Sequence, residues 1–269
     1  MSLDRVIRGS LLGYVFVALG FIFVPIVISF IFSFNEGRFP VLPIETFSTV
    51  WYEAIWNEAP VPRAFRFSII VGLSVAAIST FIGFATAYTD FRYRFFGKNV
   101  YLALALLPPT IPVLILGLVM LMFLGRVSLV GELHSVIFAH VVYCTPFAMA
   151  LIRLRLSQMD PDLERAAWNL GANNWRGMLF VILPFTMPSI FAALFLTAAV
   201  SFDEFMIAFF VGGVNETLPV RVLNMMQGQV SPRINAVGSV VFAVSITLVI
   251  LAQVFLLTRR GTGRLKAPV

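Results

Sequence analysis

Asp160-Pro161-Asp162-Leu163-Glu164-Arg165-Ala166-Ala167-Trp168-Asn169-Leu170-Gly171-Ala172-Asn173-Asn174 lies between two uncharged runs, Leu133 to Ile152 and Gly177 to Phe202. Each run reaches the ~20 apolar residues that a helix needs to cross roughly 30 Å of hydrocarbon. The polar stretch between them reads as one short helix. Asp160 is an N-cap, Pro161 suits the first helical position, and Asp162 and Glu164 complement the positive helix end. Gly171 can take the left-handed conformation that ends the helix. Leu163, Ala166, Ala167 and Leu170 fall at i, i+3, i+4 and i+7, so one face is apolar, and its two alanines permit close approach. Asn173 or Asn174 can cap a second helix, which Pro184 and Pro188 are expected to reorient into the following run. The result is a stiff elbow between two spans. It is either shaped to dock into a groove on another protein or a connector held against its own bundle.

Outward from the elbow, four further runs lack Asp, Glu, Lys and Arg: Gly9 to Asn35, Phe67 to Thr89, Asn99 to Gly125 and Ile234 to Thr258. Phe205 to Asn215 is also uncharged, but it is too short to span and contains Gly212-Gly213, so it reads as a re-entrant or interfacial piece. Across the 269 residues, 59% are hydrophobic and 12% charged, and the mean hydropathy is +0.94. A soluble domain carries about a quarter charged residues. Soluble enzymes, secreted disulfide scaffolds and disordered chains are therefore excluded, and the single Cys144 excludes a disulfide framework within the chain. The expected fold is all-α and integral to the membrane: six transmembrane helices in one domain over residues 1–269, with a polar loop over residues 153–176.

Charge orients the spans. With the N-terminus inside, 13 Lys or Arg lie on inner segments (Arg5, Arg8, Arg92, Arg94, Lys98, Arg153, Arg155, Arg165, Arg176, Arg259, Arg260, Arg264, Lys266) against 6 outside. Acidic residues divide 5 inside to 8 outside, for nets of +8 and −2. The positive-inside rule then places both termini and the elbow in the cytoplasm. The net charge of +6 sits at the ends of apolar runs, where topology accounts for it, so no nucleic-acid partner is expected. The first run follows Arg5 and Arg8 as a signal peptide would, but no small-x-small site ends it; it reads as a retained signal anchor. The longest outer segment, Glu36 to Arg66, carries Trp51, Tyr52 and Trp56, and reads either as an interfacial amphipathic stretch or as a solvated loop.

Several chemistries are missing. A phosphate-cradling loop ends in Gly-Lys-Ser/Thr, yet the only lysines, Lys98 and Lys266, are followed by Asn99 and Ala267. The chain cannot be its own ATPase. His134 and His140 lack a nearby carboxylate or thiol pattern, so they read as a loop histidine and a hydrogen-bonded packing histidine rather than metal ligands. Gly72-Leu73-Ser74-Val75-Ala76 only approximates a serine-hydrolase elbow and reads as small-residue helix packing. Cys144 has no charged neighbour in sequence that would activate it, and no nucleophile, base or metal cluster assembles elsewhere. The chain is expected not to be an enzyme and to bind no metal or cofactor.

Two short patterns mark places where a span bends: Leu107-Pro108-Pro109-Thr110-Ile111-Pro112 and Leu183-Pro184-Phe185-Thr186-Met187-Pro188 share Leu-Pro-x-Thr-x-Pro. Membrane helices tolerate such breaks where protein or a water-filled cavity satisfies the freed carbonyls. The third and fifth helices are therefore candidates to line a pathway, or the prolines only bend helices for packing. Asp203 and Glu204 follow the fifth run directly. Carboxylates at membrane depth are costly unless they face a cavity or a partner. They form a cation-contacting pair if they lie within the membrane and a solvated helix end if the helix stops at Phe202.

The elbow resembles the E-A-A-x3-G-x9-I-x-L-P signature of ABC importer permeases, with Ala166, Ala167, Gly171, Leu183 and Pro184 at matching positions. Arg165 stands where that signature has glutamate, with Glu164 one residue earlier, and Val181 replaces the isoleucine. Trp51-Tyr52, Phe91-Arg92-Tyr93-Arg94-Phe95, Ser201-Phe202-Asp203-Glu204, Leu218-Pro219 and Ser231-Pro232 extend the likeness along nearly the whole chain, which is similar to the second permease of spermidine/putrescine-type systems. The resemblance implies a bacterial inner-membrane importer with a second permease subunit, two cytoplasmic ATPase subunits that hydrolyse the ATP, and an extracytoplasmic substrate-binding protein. It implies coupling to the ATPases through Glu164, Arg165, Ala166, Ala167 and Gly171. With the residues above, it points to Asp203, Glu204, Thr110 and Tyr143 along the path of a polyamine or related organic amine. An ion-coupled secondary transporter would also suit six spans, an acidic pair and broken helices. It has no use for a capped, projecting elbow.

Overall fold

The computed structural model describes residues 3–37, 39, 41–44, 46–227 and 231–257. Arg259, Arg260, Arg264, Lys266 and the end of the sixth run lie outside them, as does the Arg5 side chain. The described residues fall into two compact units that divide the chain after Pro62, Arg221 and Phe242.

In the first unit, α1 (Leu3–Phe32) is a long helix with Pro25 inside it, and its apolar window stays exposed, as contact with lipid requires. A turn leads to α2 (Val50–Asn57), which makes two turns of helix from the Trp51-Tyr52-Trp56 stretch and buries Ile55. Polar contacts hold these pieces together: Trp51 Nε1 donates to the Asn35 carbonyl (2.7 Å), and the Ser33 and Tyr52 hydroxyls meet at 2.7 Å. The Arg233 guanidinium pairs with Glu58 and faces the Trp51 ring.

In the second unit, α3 (Pro60–Arg92) is followed by α4 (Lys98–Leu106), α5 (Val113–Arg126) and α6 (Leu133–Leu156). The third expected span is therefore delivered in two pieces, α4 and α5. Pro108, Pro109 and Pro112 withhold the N–H groups that would continue the helix. A 3₁₀ turn at Pro108–Thr110 bridges the gap, and both the Thr110 N–H (2.9 Å) and its hydroxyl (2.7 Å) donate to the Leu107 carbonyl. The elbow helices α7 (Pro161–Asn169) and α8 (Asn174–Gly177) come next, and then a π turn, Met178–Ile182, runs straight into α9 (Leu183–Asp203). The two prolines expected to reorient this helix lie within it. Pro184 sits in the first turn of α9 and Pro188 inside it, and neither ends the helix, so Asn174–Asp203 is one apolar run. The Thr186 hydroxyl donates back to the Ile182 carbonyl (2.8 Å) and that of Ser189 to the Thr186 carbonyl (2.7 Å), so these polar groups are satisfied within the helix.

The re-entrant piece is α10 (Met206–Val211), which buries Ile207, Ala208 and Val211 in a core shared with Val71 and Val75 of α3, Leu116 and Leu124 of α5, and Val136, Ala139 and Cys144 of α6. α11 (Leu218–Gln227) and α12 (Arg233–Leu257) complete the order. Among the described residues, five helices are long and apolar enough to cross a membrane, and α5 is a shorter sixth. His134, expected in a loop, lies in the first turn of α6 because Glu132 and Ser135 form a capping box that starts the helix before it.

A second cluster packs Ala87 of α3 against Ala148, Met149 and Ile152 of α6 and Ala193 of α9. α3 and α6 approach most closely at Gly83, where a Cβ would lie 2.7 Å from the Ala148 Cβ and 2.8 Å from the Met149 backbone nitrogen. Backbone cannot give way there. Gly83→Val is expected to destabilise the purified chain by about 1–3 kcal/mol. Gly9→Val on α1, where nothing lies within 4 Å, should stay within about 0.5 kcal/mol. Thermal unfolding in detergent compares the two, and equal midpoints would show that α3 and α6 do not pack at Gly83.

Candidate functional site

The elbow is built by the caps that its residues specify. The Asp160 side chain accepts from the Asp162 N–H at 2.9 Å, with Pro161 at the first helical position. Gly171 has φ +85. Its N–H donates to the Trp168 carbonyl (2.9 Å) and the Ala172 N–H to the Ala167 carbonyl (3.0 Å), the two bonds of a Schellman end. Asn173 then caps α8 through the Arg176 N–H (2.8 Å).

The two sides of α7 differ sharply. Leu163 (47% exposed), Ala166 and Leu170 (89% exposed) face outward. Glu164, 7% exposed, faces inward and pairs with Arg92 of α3 at 3.5 Å. The Arg92 guanidinium also stacks 4.9 Å from the centre of the Trp168 ring and donates to the Asn174 side-chain oxygen at 3.3 Å. Arg165 remains exposed, in an i,i+3 pair with Asp162 (2.8 Å). Of the five elbow residues singled out from sequence, Glu164 is thus engaged within its own chain. Arg165, Ala166 and Gly171 lie at the surface, and Ala167 is half-buried. Arg92 carried no assigned role in sequence, because the residues it joins stand up to 82 positions away.

The acidic pair stands where α9 turns into α10. Asp203 is the last residue of α9, and its Oδ1 accepts from the Ser245 hydroxyl at 2.5 Å. Ser245 is the central residue of the 25-residue α12, about 18 Å of helix from either end at ~1.5 Å per residue. Glu204 turns the other way: its Oε1 accepts from the Ile207 N–H at 3.0 Å, placing a carboxylate at the start of α10. Tyr143 and Cys144 of α6 pack in the core that takes in Ile207 and Ala208 of α10, the helix that Glu204 caps. Two residues before Asp203, the buried Ser201 hydroxyl meets Nδ1 of the buried His140 at 2.9 Å and fixes α9 against α6. The far end of α10 is stitched to the start of α6. The Ser135 hydroxyl (2.8 Å) and the Gly131 N–H (3.0 Å) donate to the Val211 carbonyl, and the Asn215 amide donates to the Gly131 carbonyl (2.9 Å).

Of the four pathway residues singled out, the fold brings Asp203, Glu204 and Tyr143 to one corner. Thr110 uses its hydroxyl to close the break in its own span. Ser245 was missed, since a serine in an apolar run carries no signal until the helix carrying it is packed beside a carboxylate 42 positions away. The corner offers two carboxylates, a phenol and a serine hydroxyl, with Asp203 exposed, Glu204 and Tyr143 half-buried and Ser245 buried. That set of acceptors suits an organic cation.

Comparison with known proteins agrees with this architecture. Residues 79–265 match the family model described as binding-protein-dependent transport system inner membrane component. The spermidine/putrescine transport system permease protein PotC of Escherichia coli is 31% identical over 270 residues, covering 98% of this chain and 100% of that one. The putrescine transport system permease protein PotI of the same organism is 29% identical over 229 residues, covering 82% of this chain and 81% of that one. Among solved structures, a chain of a bacterial alginate ABC transporter, crystallised with its alginate-bound periplasmic protein, superposes with a TM-score of 0.70 over 96% of this chain and 95% of that one. At 13% identity it speaks for the fold alone.

The left-handed end of α7 is directly testable. Gly171→Ala forces a Cβ into a conformation costing about 1 kcal/mol. Local opening of the elbow should rise about fivefold. Tryptic cleavage at Arg165 and Arg176 under native conditions should accelerate by that factor, and an unchanged rate would show that the turn does not depend on Gly171.

Proposed function

The chain belongs to the family of binding-protein-dependent transport system inner membrane components, and on that premise we propose that it is one of two permease subunits of an ATP-driven importer of polyamines. In this reading residues 1–269 form one permease domain, with the elbow end and both termini in the cytoplasm. Two ATPase subunits dock on the outward face of α7, where Leu163, Ala166 and Leu170 present an apolar surface without a partner inside the chain's own bundle. An extracytoplasmic binding protein delivers substrate to the opposite face. The elbow transmits closure of the ATPases, and rigid-body movement of the helices alternates the two openings.

The observation that carries the substrate class is the α9–α10 corner, where Asp203 meets the middle of α12 and Glu204 caps α10. Two carboxylates at the end of a spanning helix, without a basic partner among the described residues, call for compensating positive charge. A polyamine carries several ammonium groups on an apolar chain. The permeases whose names specify spermidine and putrescine support the same class.

Uptake of labelled spermidine into proteoliposomes holding the full complex tests this reading. Asp203→Asn removes charge at nearly constant size and should cost about 2–5 kcal/mol of interaction with a desolvated cation, which is roughly 30-fold or more in transport efficiency. Ser245→Ala removes only the hydroxyl and should cost about 1 kcal/mol. Equal losses in the two variants would mean that Asp203 serves to hold α12, and the cation site would fall. Uptake without ATP would overturn the importer reading in favour of a secondary transporter.

A second outcome follows from the missing phosphate-binding loop. The purified chain alone should hydrolyse no ATP above a matched detergent blank, and hydrolysis should appear when the ATPase subunits are added. Turnover by the isolated chain would contradict the assignment.

A further inference from the structure

The elbow is covalently joined to α6 on one side and to α9 on the other, but its link to α3 is made entirely by side chains. That link is concentrated on Arg92, the last residue of α3. Its guanidinium reaches Glu164 (3.5 Å) and the Trp168 ring (4.9 Å), which are i and i+4 on α7, and Asn174 (3.3 Å), the first residue of α8. One cation therefore holds both elbow helices. Glu164 is buried, and a buried carboxylate left without its cation is strongly unfavourable, so the pair resists separation. An Arg fork that also stacks on an indole is a stiffer connection than a single point charge.

The other end of this connection is equally anchored. Two residues before Arg92, the Asp90 carboxylate accepts from Arg153 of α6 (2.6 Å) and is ion-paired with Lys98 at the start of α4 (3.1 Å). Farther along α3, Val71 and Val75 pack in the same core as Ile207 and Ala208 of α10, the helix that Glu204 caps. Contiguous packed contacts thus run from the elbow through Arg92 and α3 to the acidic corner.

We propose that Arg92 is a positioning residue, the latch through which displacement of the elbow is imposed on α3 as well as on α6 and α9. The proposal rests on the reading that the elbow receives the movement of the ATPases. It assigns Glu164 and Trp168 to the permease's own linkage and leaves Leu163, Ala166 and Leu170 for the partner. A latch of this kind matters only when the elbow is pushed, so its loss separates ATP hydrolysis from transport.

The test uses the complete complex in proteoliposomes. Arg92→Gln should copurify with its partners and hydrolyse ATP, while the substrate moved per ATP falls on the order of tenfold, as loss of a charge-assisted contact would produce. A loss confined to folding would lower transport and hydrolysis together and leave that ratio unchanged. Spin labels supply a measurement that does not depend on Arg92→Gln assembling. With Asn169→Cys and Phe81→Cys labelled in an otherwise parental complex, the distance between them should hold constant between the nucleotide-free and ATP-bound states. The distance from Asn169→Cys to Ile250→Cys on α12 should change. A parental ratio of substrate to ATP in Arg92→Gln, or an Asn169 to Phe81 distance that shifts with nucleotide, would overturn the latch. Crosslinking of Ala166→Cys to the ATPase separates the two levels. A crosslink together with either of those outcomes rejects the latch alone, whereas absence of the crosslink rejects the elbow reading on which it stands.

Discussion

Hydrocarbon offers no hydrogen-bond partner, and that constraint governs where this chain departs from straight helix. Each departure is closed by the chain itself. At the break between α4 and α5 the backbone tightens into a 3₁₀ turn, and Thr110 folds its hydroxyl onto the Leu107 carbonyl. Before α9 the helix widens into a π turn and so accommodates Pro184 and Pro188 without stopping. At the α9–α10 corner, the Glu204 carboxylate takes up a free N–H of α10, and the Val211 carbonyl at its far end accepts from Ser135 and Gly131. Polar residues in an otherwise apolar sequence are thus concentrated where the backbone needs them.

Charge obeys the same economy. Asp90 lies between Arg153 and Lys98, and Glu164 lies beneath Arg92, all near helix ends where long basic side chains can reach water. Asp203 and Glu204 differ, because their contacts within the chain are a serine hydroxyl and a backbone N–H rather than a full positive charge. That contrast sets the corner apart as the place where an external cation would be most strongly felt. It also separates two regions: an ion-pair network ties the elbow to the bundle, and a carboxylate pair with no basic partner among the described residues stands at the α9–α10 corner.

The caps of the elbow could be read residue by residue. Asp160, Pro161, Gly171 and Asn173 act over two to five positions, and the structure uses each in the role its chemistry predicts. Pro184 and Pro188 leave the helix continuous, with the π turn Met178–Ile182 directly ahead of Pro184. For Pro188, Thr186 and Ser189 keep the surrounding polar groups satisfied. Asp203 and Glu204 were legible as a costly pair, but the serine that meets Asp203 stands 42 positions away, where no local pattern identifies it.

By itself, then, the sequence determined what the solvent and the nearest neighbours enforce: an all-helical membrane chain, an elbow between two of its spans, the break in the third, and the absence of a phosphate-binding loop. These follow from hydrophobic length and from hydrogen bonds spanning a single turn. Only the tertiary structure decided which face of α7 turns inward, that Arg92 rather than Arg165 is the partner of Glu164, and that Asp203 meets Ser245 at the middle of α12. Those pairings join residues tens of positions apart, and their energies depend on how helices of nearly uniform apolarity rotate and pack against one another. Hydrophobic periodicity specifies that rotation poorly when lipid and protein are alike apolar.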